Sequence, residues 1–63
     1  SNSEHRYLAA KVAALTNKPD EMFEALNQAF DLGFKDIKRL NSDLDFEPYH
    51  QDIRFKRLAS KAI

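Results

Sequence analysis

The chain has very few residues that favour tight turns: one glycine, Gly33, and two prolines, Pro19 and Pro48, among 63 residues. A small β domain needs a series of such turns. The rest of the sequence contains many Ala, Leu, Lys, Glu and Gln residues, which favour helix. The sequence therefore predicts an all-α fold with few helix ends.

The short length limits the hydrophobic core. A domain of this size buries only about 60% of the surface that its unfolded chain exposes. The chain contains no cysteine, so neither disulfides nor a thiolate metal site stabilises it, and an oxidising or a reducing compartment fits equally. Helix packing has to hold the fold together.

The charges of the chain balance, with ten Lys and Arg against ten Asp and Glu. A nucleic-acid binder needs a basic field, which this composition lacks. No apolar run approaches the roughly 20 residues of a membrane span, and the N-terminal residues do not resemble a signal peptide. We therefore expect a soluble chain that binds neither nucleic acid nor membrane.

The first predicted helix spans residues 4–15. Leu8, Val12 and Leu15 fall at positions i, i+4 and i+7, and Ser3 is the expected N-cap. Small residues lie between them, and these allow a second helix to approach closely. They are Ala9, Ala10, Ala13 and Ala14.

A turn over residues 16–18 separates this helix from a second one. Asn17 tolerates a left-handed backbone, Pro19 suits the first position of a helix, and Gly33 favours a helix end. The second helix carries an apolar stripe with helical spacing. The stripe consists of Met22, Phe23, Leu26, Ala29 and Phe30. Because the loop is short, residues 4–32 are predicted to form an antiparallel αα-hairpin.

A closing tail is predicted over residues 34–63. It begins with apolar residues spaced at three, which favour one short helix ending near Asn41. They are Phe34, Ile37 and Leu40. Asp52 is the expected N-cap of a last, C-terminal capping helix. This helix has apolar residues Ile53, Phe55, Leu58, Ala59 and Ala62, and basic residues Arg54, Lys56, Arg57 and Lys61.

Turn-forming residues join those two tail helices. Asp43 and Asp45 are expected to cap short helical turns, and Pro48 is expected to disfavour a helix through Glu47. Phe46 and Tyr49 are predicted to pack onto the hairpin. The phenylalanines as a group fall on predicted apolar faces, so we expect them in the core.

The hairpin resembles a tetratricopeptide repeat (TPR), a helix-turn-helix unit with small residues where its helices cross. Ala10 and Ala29 match the small positions and Phe30 a bulky one, with Leu15 and Leu26 expected in the interior. The tail resembles the segment that closes many bacterial TPR arrays. The matching residues are Leu32-Gly33-Phe34, Asp36-Ile37, Leu40, Ser42-Asp43, Asp45-Phe46, Pro48 and Asp52-Ile53-Arg54-Phe55. The resemblance implies a scaffold for protein contact without chemistry of its own.

One repeat is fewer than the roughly three that TPR arrays usually need for stability. We therefore expect residues 3–63 to be a single domain from a longer protein, with residues 1–2 a cloning scar, or to associate with a second copy as a homo-oligomer. The contact is predicted to use the first helix, with Tyr7 as its exposed aromatic. The predicted protein-binding residues are Tyr7, Leu8, Lys11, Val12 and Leu15.

No residue pattern indicates catalysis, a metal or a cofactor. His5 and His50 lack zinc-ligand spacing and are expected at the solvated surface. Acidic residues alternate from Asp43 as in a calcium loop, but Pro48 occupies the position that needs glycine. The hydroxyls of Ser3, Thr16, Ser42 and Ser60 have no identifiable base. We therefore expect no enzyme activity.

Two other functions remain open on the sequence alone. The chain is also compatible with a structural C-terminal cap that ends a helical array. A nucleic-acid-binding helix-turn-helix needs a basic recognition helix. The second helix instead carries Asp20, Glu21, Glu24 and Asp31. The basic run on the last helix complements the helix dipole, and contact with phosphate or acidic lipid is the weaker explanation.

Overall fold

The computed structural model describes residues 2–61. The predictions for Ser1, Ala62 and the side chain of Lys61 lie outside this description. The elements are α1 (Asn2–Leu15), α2 (Pro19–Asp31), α3 (Ile37–Ser42), a 3-10 helix (Leu44–Tyr49) and α4 (Ile53–Lys61). Residues 2–61 contain no strand, and the predicted all-α class is confirmed.

Helices α1 and α2 form the predicted hairpin. Asn17 takes the left-handed conformation, with a φ of 62°. The amide of Lys18 donates to the carbonyl of Ala13 at 2.9 Å, which satisfies one of the last carbonyls of α1. Pro19 is the first residue of α2, where its missing N–H costs no helical hydrogen bond.

Gly33 ends α2, as predicted. Its φ is 105°, a conformation that residues with a Cβ rarely adopt. The amide of Gly33 donates to Phe30 O at 3.0 Å, and the amide of Phe34 donates to Ala29 O at 3.0 Å. This pair of bonds is a Schellman motif, which turns the chain toward the tail.

The core joins the hairpin to the tail. Its five largest fully buried side chains come from four different helices: Tyr7, Met22, Leu26, Leu40 and Phe46. The predicted packing of Phe46 and Tyr49 on the hairpin is confirmed, with ring centroids 5.6 Å apart for Phe46 and Tyr7 and 6.3 Å apart for Tyr49 and Phe23. The predicted core positions of the phenylalanines are also confirmed, with Phe30 only partly buried.

Two predictions for local structure are wrong. Ser3 does not cap α1, because the helix already includes Asn2 and Ser3 lies within its first turn. Pro48 does not prevent a helix through Glu47, because the segment forms a 3-10 helix that contains both residues. A helix this short loses only one possible hydrogen bond at a proline nitrogen, and contact between Phe46 and the core outweighs that loss.

Candidate functional site

Tyr7 is fully buried, so its predicted exposure is wrong. Its ring stacks on Phe34 with centroids 4.6 Å apart, and its hydroxyl donates a 2.8 Å hydrogen bond to Asp43 Oδ2. Burial, with the adjacent Asp43 carboxylate second, raises the pKa of Tyr7 above its ordinary value. Tyr7 therefore attaches α1 to the tail and is not part of an outer surface.

Lys11 is also used within the chain. Its Nζ lies 3.4 Å from Asp43 Oδ2 and 3.7 Å from Asp45 Oδ2. Burial by itself raises the pKa of the Asp43 carboxyl, but the hydrogen bond from Tyr7, the amide of Asp45 and the charge of Lys11 together hold that pKa below its ordinary value. About a third of the Lys11 side-chain surface stays exposed. Lys11 therefore borders the outer surface, while its ammonium group is paired with the two aspartates.

A second ion pair connects α1 to α3 and was not predicted from the sequence. Arg39 donates two 2.8 Å hydrogen bonds to the Glu4 carboxylate, and its guanidinium carbon lies 4.4 Å from the centroid of the Tyr7 ring. Bidentate pairing and the cation–π contact both favour arginine over lysine here. The hydrogen bond from Arg39 lowers the pKa of Glu4.

The outer face of α1 carries a stripe of large aliphatic side chains. Leu8 is 44% exposed, Val12 61% and Leu15 69%, and the i, i+4, i+7 spacing places the three on one side of the helix. The predicted interior position of Leu15 is wrong, because the buried side of α1 consists of Tyr7 and small residues. Those small residues are Ala10, Ala13 and Ala14.

Leu44 of the 3-10 helix is another exposed aliphatic side chain. It is 77% exposed and lies in the chain between Asp43 and Asp45, the two carboxylates bound to Lys11. On α1, Lys11 is three residues after Leu8 and four before Leu15, so it is a surface neighbour of both. The ion pairs thus bring the chain segment that carries Leu44 close to Lys11. We call Leu8, Val12, Leu15 and Leu44 the apolar surface.

The sequence pattern predicts the three α1 members of this surface but not Leu44. Exposure of one leucine between two aspartates is not distinctive in a sequence. The signal that would have indicated it is the pairing of Lys11 with both aspartates, which requires knowing that residues so distant in the chain meet in space.

The two histidines differ in environment. His5 is exposed, as predicted. His50 is partly buried, its ring lies 4.8 Å from the Phe55 ring, and its buried Nε2 has no hydrogen-bond partner among the residues that the structure describes. The predicted solvated position of His50 is therefore wrong, because the turn after the 3-10 helix directs it toward α4.

The acidic residues of the predicted turn are occupied by protein partners. Asp43 accepts the amide of Asp45 at 3.1 Å as the predicted cap, in addition to its contacts with Tyr7 and Lys11. Among the residues that the structure describes, no group of three or more potential ligands is placed to hold a metal ion. In the same range, no helix is long and apolar enough to cross a membrane.

Comparison with known proteins found no match. No family model matches the chain, no curated protein matches it, and no solved structure matches it. The TPR resemblance of the hairpin and tail therefore stays a prediction from the residues.

Proposed function

We propose that the chain is a TPR-like protein-binding module and that the apolar surface is its contact site. The observation that supports this is the exposure of Val12, Leu15 and Leu44, each more than 60% in contact with solvent on a 63-residue domain. Removal of apolar area from water stabilises association by about 25 cal/mol per Å². Grouped aliphatic side chains of this kind are typical of sites that another protein covers.

The partner that best fits the α1 stripe is another helix. Side chains at i, i+4 and i+7 form a ridge that packs into the groove of a facing helix. Ala9 is exposed beside Leu8 and Val12 and lets the backbones approach closely. Lys11, fixed by its two aspartates, adds a polar border that orients the partner.

A second copy of the chain supplies such a helix. When two copies of α1 run antiparallel about a two-fold axis near Val12, Leu8 of one copy lies opposite Leu15 of the other. Such an interface uses the same patch twice, as most homodimers do. We therefore propose self-association as the function to test first.

The test is the solution mass by light scattering over a roughly hundredfold concentration range, for the unchanged chain, Val12→Asp and Ile53→Asp. Ile53 is a matched control, because it is 60% exposed, against 61% for Val12, and lies on α4. We expect a concentration-dependent dimer that Val12→Asp weakens at least about tenfold and that Ile53→Asp preserves.

Circular dichroism shows whether each variant keeps its helices. A monomer at every concentration rejects self-association. An equal loss of dimer with Ile53→Asp shows that the contact is not at the apolar surface.

A structural C-terminal cap is the second candidate function. The tail covers one side of the hairpin through Leu40, Phe46 and Phe55, all buried, while the α1 stripe stays open on another side. A cap has this asymmetry, with one closed side and one side for the preceding hairpin. Fusion of a TPR hairpin before α1 would then raise the melting temperature and abolish self-association.

A further inference from the structure

An open groove of about 400 Å³ lies between α2 and α4. It shares no residue with the apolar surface. Its lining residues are Phe23, Asn27, Arg54, Arg57 and Leu58. The volume is in the range of sites that take a small ligand or a few side chains.

Arg54 forms one wall of the groove in a fixed orientation. Its guanidinium donates to Asp20 Oδ1 at 2.9 Å and to Asp52 Oδ2 at 3.2 Å, and its carbon lies 4.4 Å from the centroid of the Phe23 ring. The Nε–H donates to Asp52 Oδ1 at 3.3 Å. A guanidinium has five N–H donors, so two remain for a ligand.

Arg57 forms the neighbouring wall and has no such partners. It is three residues after Arg54, so both guanidinium groups lie on the same side of α4. Arg57 is exposed and forms no ion pair or hydrogen bond with any residue that the structure describes. Among the described residues, no carboxylate compensates its charge, and it lies beside an apolar floor of Phe23 and Leu58.

We propose that this groove binds a peptide segment in which an Asp or Glu side chain neighbours a large apolar side chain. The carboxylate accepts hydrogen bonds from Arg57 and from the two remaining donors of Arg54. The apolar side chain lies against Phe23, Leu58 and the aliphatic parts of the arginines.

The charges at the rim favour a carboxylate over a phosphate group. The Asp20 side chain is 94% exposed and lies beside Arg54, and Asp52 lies on its other side. Both carboxylates pair with Arg54, and neither forms an ion pair with Arg57, so Arg57 is the cation of the groove that has no carboxylate partner among the described residues. A single guanidinium without a carboxylate partner matches a monoanion better than a dianion.

The experiment measures fluorescence polarisation of a fluorescein-labelled Gly-Glu-Phe-Glu-Gly peptide against the unchanged chain, Arg57→Gln and Lys56→Gln. Lys56 is the matched control, because it is an exposed cation next to Arg57 that does not line the groove. We expect Arg57→Gln to weaken binding about tenfold, Lys56→Gln to change it less than about twofold, and a Gln-for-Glu peptide to bind at least about tenfold more weakly.

Equal effects of the two substitutions would show a non-specific charge effect and overturn the proposal. So would an absence of binding at millimolar protein, or binding to phosphatidylserine vesicles without binding to the peptide. The Val12→Asp variant is expected to bind the peptide normally, so failure at this groove and failure at the apolar surface are distinguishable.

Discussion

The hydroxyl of Tyr7 donates a 2.8 Å hydrogen bond to Asp43 Oδ2 across 36 residues of sequence. The same carboxylate accepts the amide of Asp45 and lies 3.4 Å from Lys11 Nζ. Helix α1 is thus held to the start of the 3-10 helix through one acidic side chain. This arrangement satisfies the polar end of a tyrosine whose ring is entirely in the core.

The first prediction concerns the Tyr7 hydroxyl. We expect Tyr7→Phe to lower the free energy of unfolding by about 1–2 kcal/mol, because the ring stays in the core while Asp43 loses a hydrogen-bond donor in a partly buried position. Urea denaturation followed by circular dichroism measures the change.

Tyr49→Phe is the matched control for that experiment. Tyr49 packs against Phe23, but its hydroxyl forms no hydrogen bond with any described residue. We expect its free energy of unfolding to stay within about 0.5 kcal/mol of the unchanged chain. An equal loss for both variants would contradict a specific role of the bond between Tyr7 and Asp43.

The second prediction concerns acid. The folded chain holds the pKa of Asp43 below its ordinary value of about 3.9, so the unfolded chain binds protons more readily. The resulting stabilisation is complete above that ordinary value and is lost as pH falls through the lower folded pKa. We expect the stability difference between the unchanged chain and Asp43→Asn to shrink between about pH 5 and pH 2.

Urea denaturation at a series of pH values measures this difference. A difference that stays constant over the whole range would show that the charge of Asp43 contributes nothing. A stability difference that grows on acidification would mean that folding raises the pKa of Asp43, which is the opposite of the expected direction.

The third prediction concerns the end of α2. Gly33 has a φ of 105°, and a Cβ added there meets no atom within 4 Å. Substitution to alanine therefore causes backbone strain and no steric clash. We expect Gly33→Ala to lower the free energy of unfolding by about 1–2 kcal/mol. Lys35→Ala, at an exposed position just beyond the turn, is expected to change it little, and equal effects would contradict the backbone argument.

Much of the hairpin follows from local chemistry. Pro19 and Gly33 determine where α2 begins and ends, and both roles depend only on backbone geometry. The predicted apolar stripe of α2 is the buried side of that helix. The prediction succeeds because α2 carries large apolar residues on one side only. Asp52 likewise accepts the amide of Arg54 at 2.8 Å, as expected of a cap.

The orientation of α1 was harder to predict, since both sides of this helix carry apolar residues. Leu8, Val12 and Leu15 are larger than Ala10 and Ala14, yet the alanine side is the buried one. Tyr7 is the one large side chain on this buried side of α1, and its burial depends on Asp43 in a distant segment. Local periodicity contains no information about that partner.

The contacts that attach the tail impose an order on folding. Tyr7 meets Asp43 and Asp20 meets Arg54, at separations of 36 and 34 residues. A hairpin can form as soon as its own residues leave the ribosome, but the ring of Tyr7 is completely covered only when Phe34 and then Phe46 have been synthesised. During that interval the growing chain exposes an aromatic surface, so the nascent hairpin is the species most open to chaperones and to aggregation.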